Sequence, residues 1–254
     1  MFIDTHCHLS IEDYDDIEKV IKDNKEAGID KIIISGCTRE SIIESLELSK
    51  KYEEVYVTIG YHPSEVNITS IEDIKVLEEQ LLEDKVVGVG EIGLDYHYGK
   101  EDIEKQKELF RTQMRLAEKY KLPVVIHSRD ATNDTINILK EFPNVIGDIH
   151  CFSGSVETAR IYLSMGYYLG IGGVVTFKNS NLSKVILELG LDRILLETDS
   201  PYLTPEPYRG KKNSSKYIPY IAEYIANLLD ITVEEVSKIT LNNTYTLFDL
   251  NNKK

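Results

Sequence analysis

The sequence predicts an α/β protein: a (β/α)8 TIM barrel forming a single domain over residues 1–254, with an extra C-terminal helix. Two observations lead there. Short apolar runs rich in β-branched residues alternate eight times with amphipathic helical stretches, and histidines and carboxylates recur at or just past the C-terminal ends of those runs. Alternating strands and helices build parallel sheets. A closed barrel gathers its strand ends at one mouth, whereas a doubly wound open sheet, the alternative topology, spreads them along an edge.

The first strand is read over residues 1–9, and the others over 31–36, 55–60, 86–91, 123–127, 145–150, 167–171 and 193–199. Most are continuously apolar, as in strands covered on both faces. Helices are expected over 13–27, stopped by Gly28, and over 38–51. A third follows Thr69-Ser70, with Ile71, Ile74, Leu77 and Leu81 at helical spacing. The remaining helices fall at 101–120, 131–141, 155–165 before Gly166, 182–189 before Gly190, 215–229 and 233–247. No repeat, low-complexity segment or linker marks a domain boundary.

A hydrophobic content of 42% and a charged content of 28% are those of a soluble globular protein. No apolar run approaches the roughly 20 residues of a membrane span. Asp4, His6 and His8 interrupt the first run where a signal peptide needs an unbroken apolar segment, so the expected location is cytoplasmic. Cys7, Cys37 and Cys151 lack paired spacing and read as small buried residues in a reducing compartment. The net charge of −14 repels polyanions at long range. That counts against a dedicated nucleic-acid-binding module, but not against an enzyme with a small local site for phosphate.

His6 and His8 lie two residues apart on a strand, so both project to the same face, with Asp4 one step earlier. Two imidazoles so placed can hold one metal ion. A single polar residue at a strand end is ordinarily just a hydrogen-bonded group; a whole set at one barrel mouth is a metal site. His6, His8 and Asp199 are assigned to one divalent ion, His127 and His150 to a second, and Glu91 bridges them. Such a pair activates water for hydrolysis, with Asp199 and Glu91 as the catalytic carboxylates and Asp199 carrying the proton. Imidazole ligands suit Zn or Mn better than Mg, although ligand type does not settle the metal.

Around this set, Arg129 offers a planar fork for phosphate, and Ser153-Gly154 can present backbone N–H groups at a helix start. Asp95 and Glu197 are read as supporting the histidines or closing the barrel rim; His97 has no assigned role. Arg209, Lys211 and Lys212 form the one dense basic patch, flanked by Tyr202, Tyr208 and Tyr217. Such a run is often only a solvated loop, but the rings could stack on bases.

These residues carry a resemblance. The segments 2–9 (FIDTHCHL), 60–63 (GYHP), 89–96 (VGEIGLDY), 123–129 (PVVIHSR), 150–154 (HCFSG), 196–203 (LETDSPYL) and 209–213 (RGKKN) resemble the TatD family of metal-dependent deoxyribonucleases, a branch of the amidohydrolase-like barrels, over essentially the whole length. The resemblance implies the same ligands, His6, His8, Glu91, His127, His150 and Asp199, and places His62 in the substrate pocket. One departure is Ser214-Ser215, where the family usually continues with an acidic or amide residue and a proline. The expected function is hydrolysis of DNA phosphodiester bonds with two divalent metal ions. Action from 3′ ends on single strands is implied by the resemblance alone. The alternatives are an amide or ester hydrolase using the same activated water, or a metal-stabilised binding protein. A monomer without an obligate protein partner is expected.

Overall fold

The computed structural model describes residues 1–97, 99 and 101–251. Eight parallel strands follow sequence order in one sheet: β1 (Phe2–Cys7), β2 (Ile29–Gly36), β3 (Val55–Ile59), β4 (Val86–Asp95), β5 (Val124–Arg129), β6 (Gly147–Ile149), β7 (Tyr168–Ile171) and β8 (Ile194–Leu196). Helices alternate with them: α1 (Ile17–Glu26), α2 (Arg39–Lys51), α3 (Ile71–Gln80), α4 (Ile103–Tyr120), α5 (Thr132–Glu141), α6 (Val156–Ser164), α7 (Leu182–Leu189), α8 (Ile218–Leu229) and the extra C-terminal α9 (Val233–Phe248). This is the (β/α)8 barrel that the alternation predicts. Two compact units are distinguishable, Met1–Ile34 with Cys151–Thr246, and Ser35–His150 with Leu247–Lys254.

In the first unit, β1 pairs with β2 from Phe2↔Ile29 to Cys7↔Ile34, and β7 pairs with β8. The end of β8 returns to β1: the Asp199 N–H donates to the His6 carbonyl at 3.0 Å, and the His8 N–H to that of Ser200 at 2.7 Å. Apolar residues of β7 and β8, among them Leu169, Ile171 and Leu195, are fully buried with Val185 and Ile186 of α7 and Ile221, Ala222 and Ile225 of α8. Each of the Val, Leu and Ile side chains contributes about 1.5–3 kcal/mol by leaving water, and the Ala222 methyl less. Asp16 caps α1 by accepting from the Lys19 N–H, and Gly28, at φ 85, supplies the left-handed turn after it. The Asn243 amide of α9 donates to the Leu191 and Ile194 carbonyls at 2.8 and 2.9 Å, fastening that helix to the start of β8.

In the second unit, β3, β4, β5 and β6 pair in order and in parallel. Capping boxes start α2 at Thr38 with Ser41 and α3 at Ser70 with Asp73. Gly93, at φ 144, passes so near β5 that a β-carbon there would sit 2.0 Å from the His127 carbonyl oxygen. Only glycine allows that approach.

The structure departs from the sequence reading at several element ends and at one helix face; β1, expected over 1–9, ends at Cys7 and leaves His8 just past it. The strand expected at 193–199 ends at Leu196, and Asp199, three residues further on, takes a left-handed φ of 55. The strand expected at 86–91 runs on to Asp95, held by pairing through Asp95↔Arg129. Ile71, placed on the apolar face of α3, is 80% exposed, while Leu77 is fully buried; Ile71 opens the first turn, ahead of the part of the helix that packs.

Candidate metal centre

The strand register is irregular where the expected ligands sit. In β1 it shifts between Asp4 and Cys7, around His6, and in β4 between Val89 and Ile92, around Glu91. A local bulge re-aims a side chain that a regular ladder would hold in step with its neighbours.

In the first unit, the His6 Nε2 lies 3.3 Å from the His8 Nε2, and Asp199 Oδ1 lies 3.8 and 3.4 Å from the two nitrogens. His6 is 1% exposed. An ion about 2.0–2.1 Å from each donor of a tetrahedral set holds those donors roughly 3.3–3.4 Å apart, so these three fit a divalent ion. Asp4, fully buried, accepts the Thr198 hydroxyl at 2.6 Å and the Thr198 and His6 N–H groups at 3.0 and 3.3 Å. Burial outweighs those bonds and pushes its carboxyl up to about 7. Asp4 is therefore a clasp between β1 and the end of β8.

In the second unit, the two ring nitrogens of His127 face two carboxylates: Nδ1 lies 2.7 Å from Glu91 Oε1, and Nε2 lies 3.2 Å from Asp95 Oδ2. Burial lowers the His127 pKa, but the bonds to Asp95 and Glu91 prevail and hold it up at about 9. Burial likewise raises Asp95, and the His127 ring and the His97 N–H outweigh it, leaving the carboxyl below its usual range. Glu91 Oε1 is also 3.9 Å from the His150 Nε2 and 4.0 Å from the His62 Nε2. A buried carboxylate ringed by imidazole nitrogens is a donor set that suits a divalent cation.

His62 caps the short turn Pro63–Glu65, with its Nδ1 accepting from the Ser64 N–H at 3.1 Å. In the neutral ring that leaves the proton on Nε2, where it can donate; His62 also groups with Asp95 and His127, their donor atoms within 4.8 Å of one another. Beside it a cavity of about 580 Å³ is lined by His62, Asn67, Asp95, Glu101, Asp102 and Gln106 among others. Arg129 is exposed at the end of β5, and its charge helps to lower Asp95.

The basic loop lies on aromatic rings of its own unit. Arg209 sits over Phe177 at 4.2 Å, Lys211 over Tyr208 at 5.4 Å and Lys212 over Tyr14 at 5.3 Å, and Lys212 also donates to the Asp13 carbonyl. Ser153 is exposed two residues before Ser155, whose hydroxyl caps α6, so Ser153 precedes the first turn of that helix. Glu197 is fully buried; it accepts the Cys151 N–H at 2.6 Å and fills the space where a β-carbon on Gly170 would meet it.

Residues 3–249 match the family model described as "TatD related DNase". The chain belongs to the TatD family of metal-dependent hydrolases. It is 45% identical over 255 residues to "Uncharacterized metal-dependent hydrolase YabD" of Bacillus subtilis, across 99% of this chain and all of that protein. It is 36% identical to YcfH of Escherichia coli K12, described in the same words, across 98% of this chain and 96% of that one. Among solved structures, the TatD homologue YjjV of Escherichia coli superposes with a TM-score of 0.90 at 33% identity, covering 98% of each chain. Among the described residues, no helix of this TatD protein is long and apolar enough to cross a membrane.

Two groups of this TatD chain that brace the expected ligands were given no role from the sequence. Asp4 is one, placed there only on the same strand face as His6. The other is Asn213, whose buried amide donates to the Thr198 carbonyl at 2.9 Å and the Tyr202 carbonyl at 2.5 Å, on either side of Asp199. The departure at Ser214-Ser215 is buried too, and the Ser215 side chain hydrogen-bonds Asp4.

Proposed function

We propose that this TatD protein is a phosphodiesterase that removes nucleotides from DNA, from 3′ ends of single strands, using two divalent ions. His6, His8 and Asp199 would hold one ion and His127 and His150 the other, with Glu91 shared. The observation that carries this reading is the convergence of His6, His8 and Asp199 donor atoms within 3.3–3.8 Å of one another. When bound, the ions supply Lewis acidity toward phosphoryl oxygen and acidify water. Asp199 takes the proton of the attacking water and returns it to the leaving oxygen. Asp95 keeps one nitrogen of His127 protonated and leaves the other free to ligate. His62, with its proton on Nε2, and Arg129, with its fork, donate to phosphate oxygens. Ser153, Arg209 and Lys211 contact the strand farther from the reacting bond. Imidazole-rich shells favour Zn or Mn over Mg. The protein works in the cytoplasm as a monomer and as one domain.

A second reading, amide or ester hydrolysis, draws on the net charge of −14 and on the Glu101 and Asp102 walls of the cavity beside His62, which suit a substrate with fewer negative charges. Metal-loaded protein is incubated with end-labelled single-stranded DNA and, separately, with a panel of N-acyl amino acids. Release of nucleotides supports the proposal, and turnover of the amides alone overturns it. Turnover of neither substrate favours a metal-stabilised binding protein.

A further inference from the structure

Three tyrosines flank the basic loop, and packing separates them. Tyr208 and Tyr217 stack on each other with ring centroids 4.8 Å apart at 28°, and the Tyr208 hydroxyl lies 2.9 Å from that of Tyr220. Those faces are spent within the unit. Tyr202 is 60% exposed, and Leu203 beside it is 37% exposed.

A single exposed ring needs no explanation by itself. Tyr202 differs because its backbone is fastened at both ends. Its N–H donates to the Asp199 carbonyl at 2.9 Å, and its carbonyl accepts the buried Asn213 amide at 2.5 Å. Its ring stands 6.4 Å from the ring of His8 at an interplanar angle of 66°. An exposed aromatic face on an anchored backbone thus borders the group of His6, His8 and Asp199, within one nucleotide's reach of a phosphate held there. Every base has a π-face, so such a ring accepts any base and favours an unpaired one.

We propose that Tyr202 is the stacking platform for the base of the nucleotide being released, and so a specificity-determining residue for unpaired strand ends. This rests on the DNA-hydrolysis reading above. The test compares kcat/KM on two short single strands that differ in the terminal nucleotide, one with a normal base and one with an abasic tetrahydrofuran residue. Wild-type protein is expected to prefer the base-bearing strand, by roughly 5- to 100-fold if stacking has its usual strength. Tyr202→Leu, of similar bulk without a π-face, should abolish that preference through KM, and Tyr202→Phe should keep it. Retention of the preference in Tyr202→Leu, or its loss in Tyr202→Phe, overturns the inference while leaving the DNA reading in place. Wild-type protein that cleaves neither strand overturns both.

Discussion

The two units hold their histidines in opposite ways. In the first, two imidazole nitrogens face each other at 3.3 Å with one carboxylate beyond them, and at most one proton fits between the rings. In the second, each nitrogen of His127 has its own carboxylate, so that ring is satisfied as a cation. The first arrangement suits a divalent ion. The second is satisfied by a proton. The contrast predicts that metal occupancy in the second unit depends more strongly on pH, because binding there must displace a proton that Glu91 and Asp95 both favour.

The largest test of that contrast is Glu91→Ala. Activity should fall by more than ~100-fold, the upper range for losing a mere supporting partner of a ligand, and the fold should remain. Metal analysis should find most of the ion lost; full occupancy with full activity would sink the shared-ligand assignment.

Asp199→Asn asks whether the first unit's carboxylate also moves protons. An amide can still coordinate weakly but takes up no proton at accessible pH. Turnover should drop by roughly 10²–10⁴-fold with little change in KM, the range for general acid–base groups. Equal kcat in the two proteins would place the base elsewhere.

A smaller effect is expected for Asp95→Asn, which should weaken metal binding by about 10–100-fold. It also sharpens the comparison through pH. The folded pKa of His127 is raised from 6.5 to about 9. In metal-free protein its charged bonds stabilise the fold fully below pH 6.5, and that contribution is lost as the pH rises through 9. Chelator-treated protein should therefore lose thermal stability across this window, and Asp95→Asn should flatten the loss. Identical profiles would mean that Asp95 does not hold the proton on His127.

The smallest effect concerns the basic loop of the first unit. With few phosphates neutralised, log Kd for single strands at fixed excess metal should vary with log salt by a slope of only about 1–3 in magnitude, at about 0.7 per phosphate. Replacing Lys211 and Lys212 together by Ala should weaken DNA binding and make the slope shallower. An unchanged slope would show that the two lysines serve only the rings and the Asp13 carbonyl that they touch.

The barrel was legible in the sequence because its signals are local. Continuous apolar runs, helix-spaced Leu77 and Leu81, and stop signals such as Gly28 and Gly190 each act within one or two turns of chain. The pairing of two candidate donors was legible for a similar reason, since His6 and His8 are two residues apart in sequence and their Nε2 atoms lie 3.3 Å apart, although β1 ends at Cys7 and His8 lies just past it. What only the tertiary structure decided are relations between residues far apart in sequence. Asp199, three residues past the end of β8, takes a φ of 55 while its N–H bonds the His6 carbonyl, and Asp4 and Asn213 clasp Thr198 from opposite ends of the chain. Tyr202, Tyr208 and Tyr217 are chemically identical, and only packing leaves one ring exposed beside His8 while the other two stack on each other. A residue's type states which bonds it can form; which partner comes within 3 Å is set by the long-range packing of the whole chain.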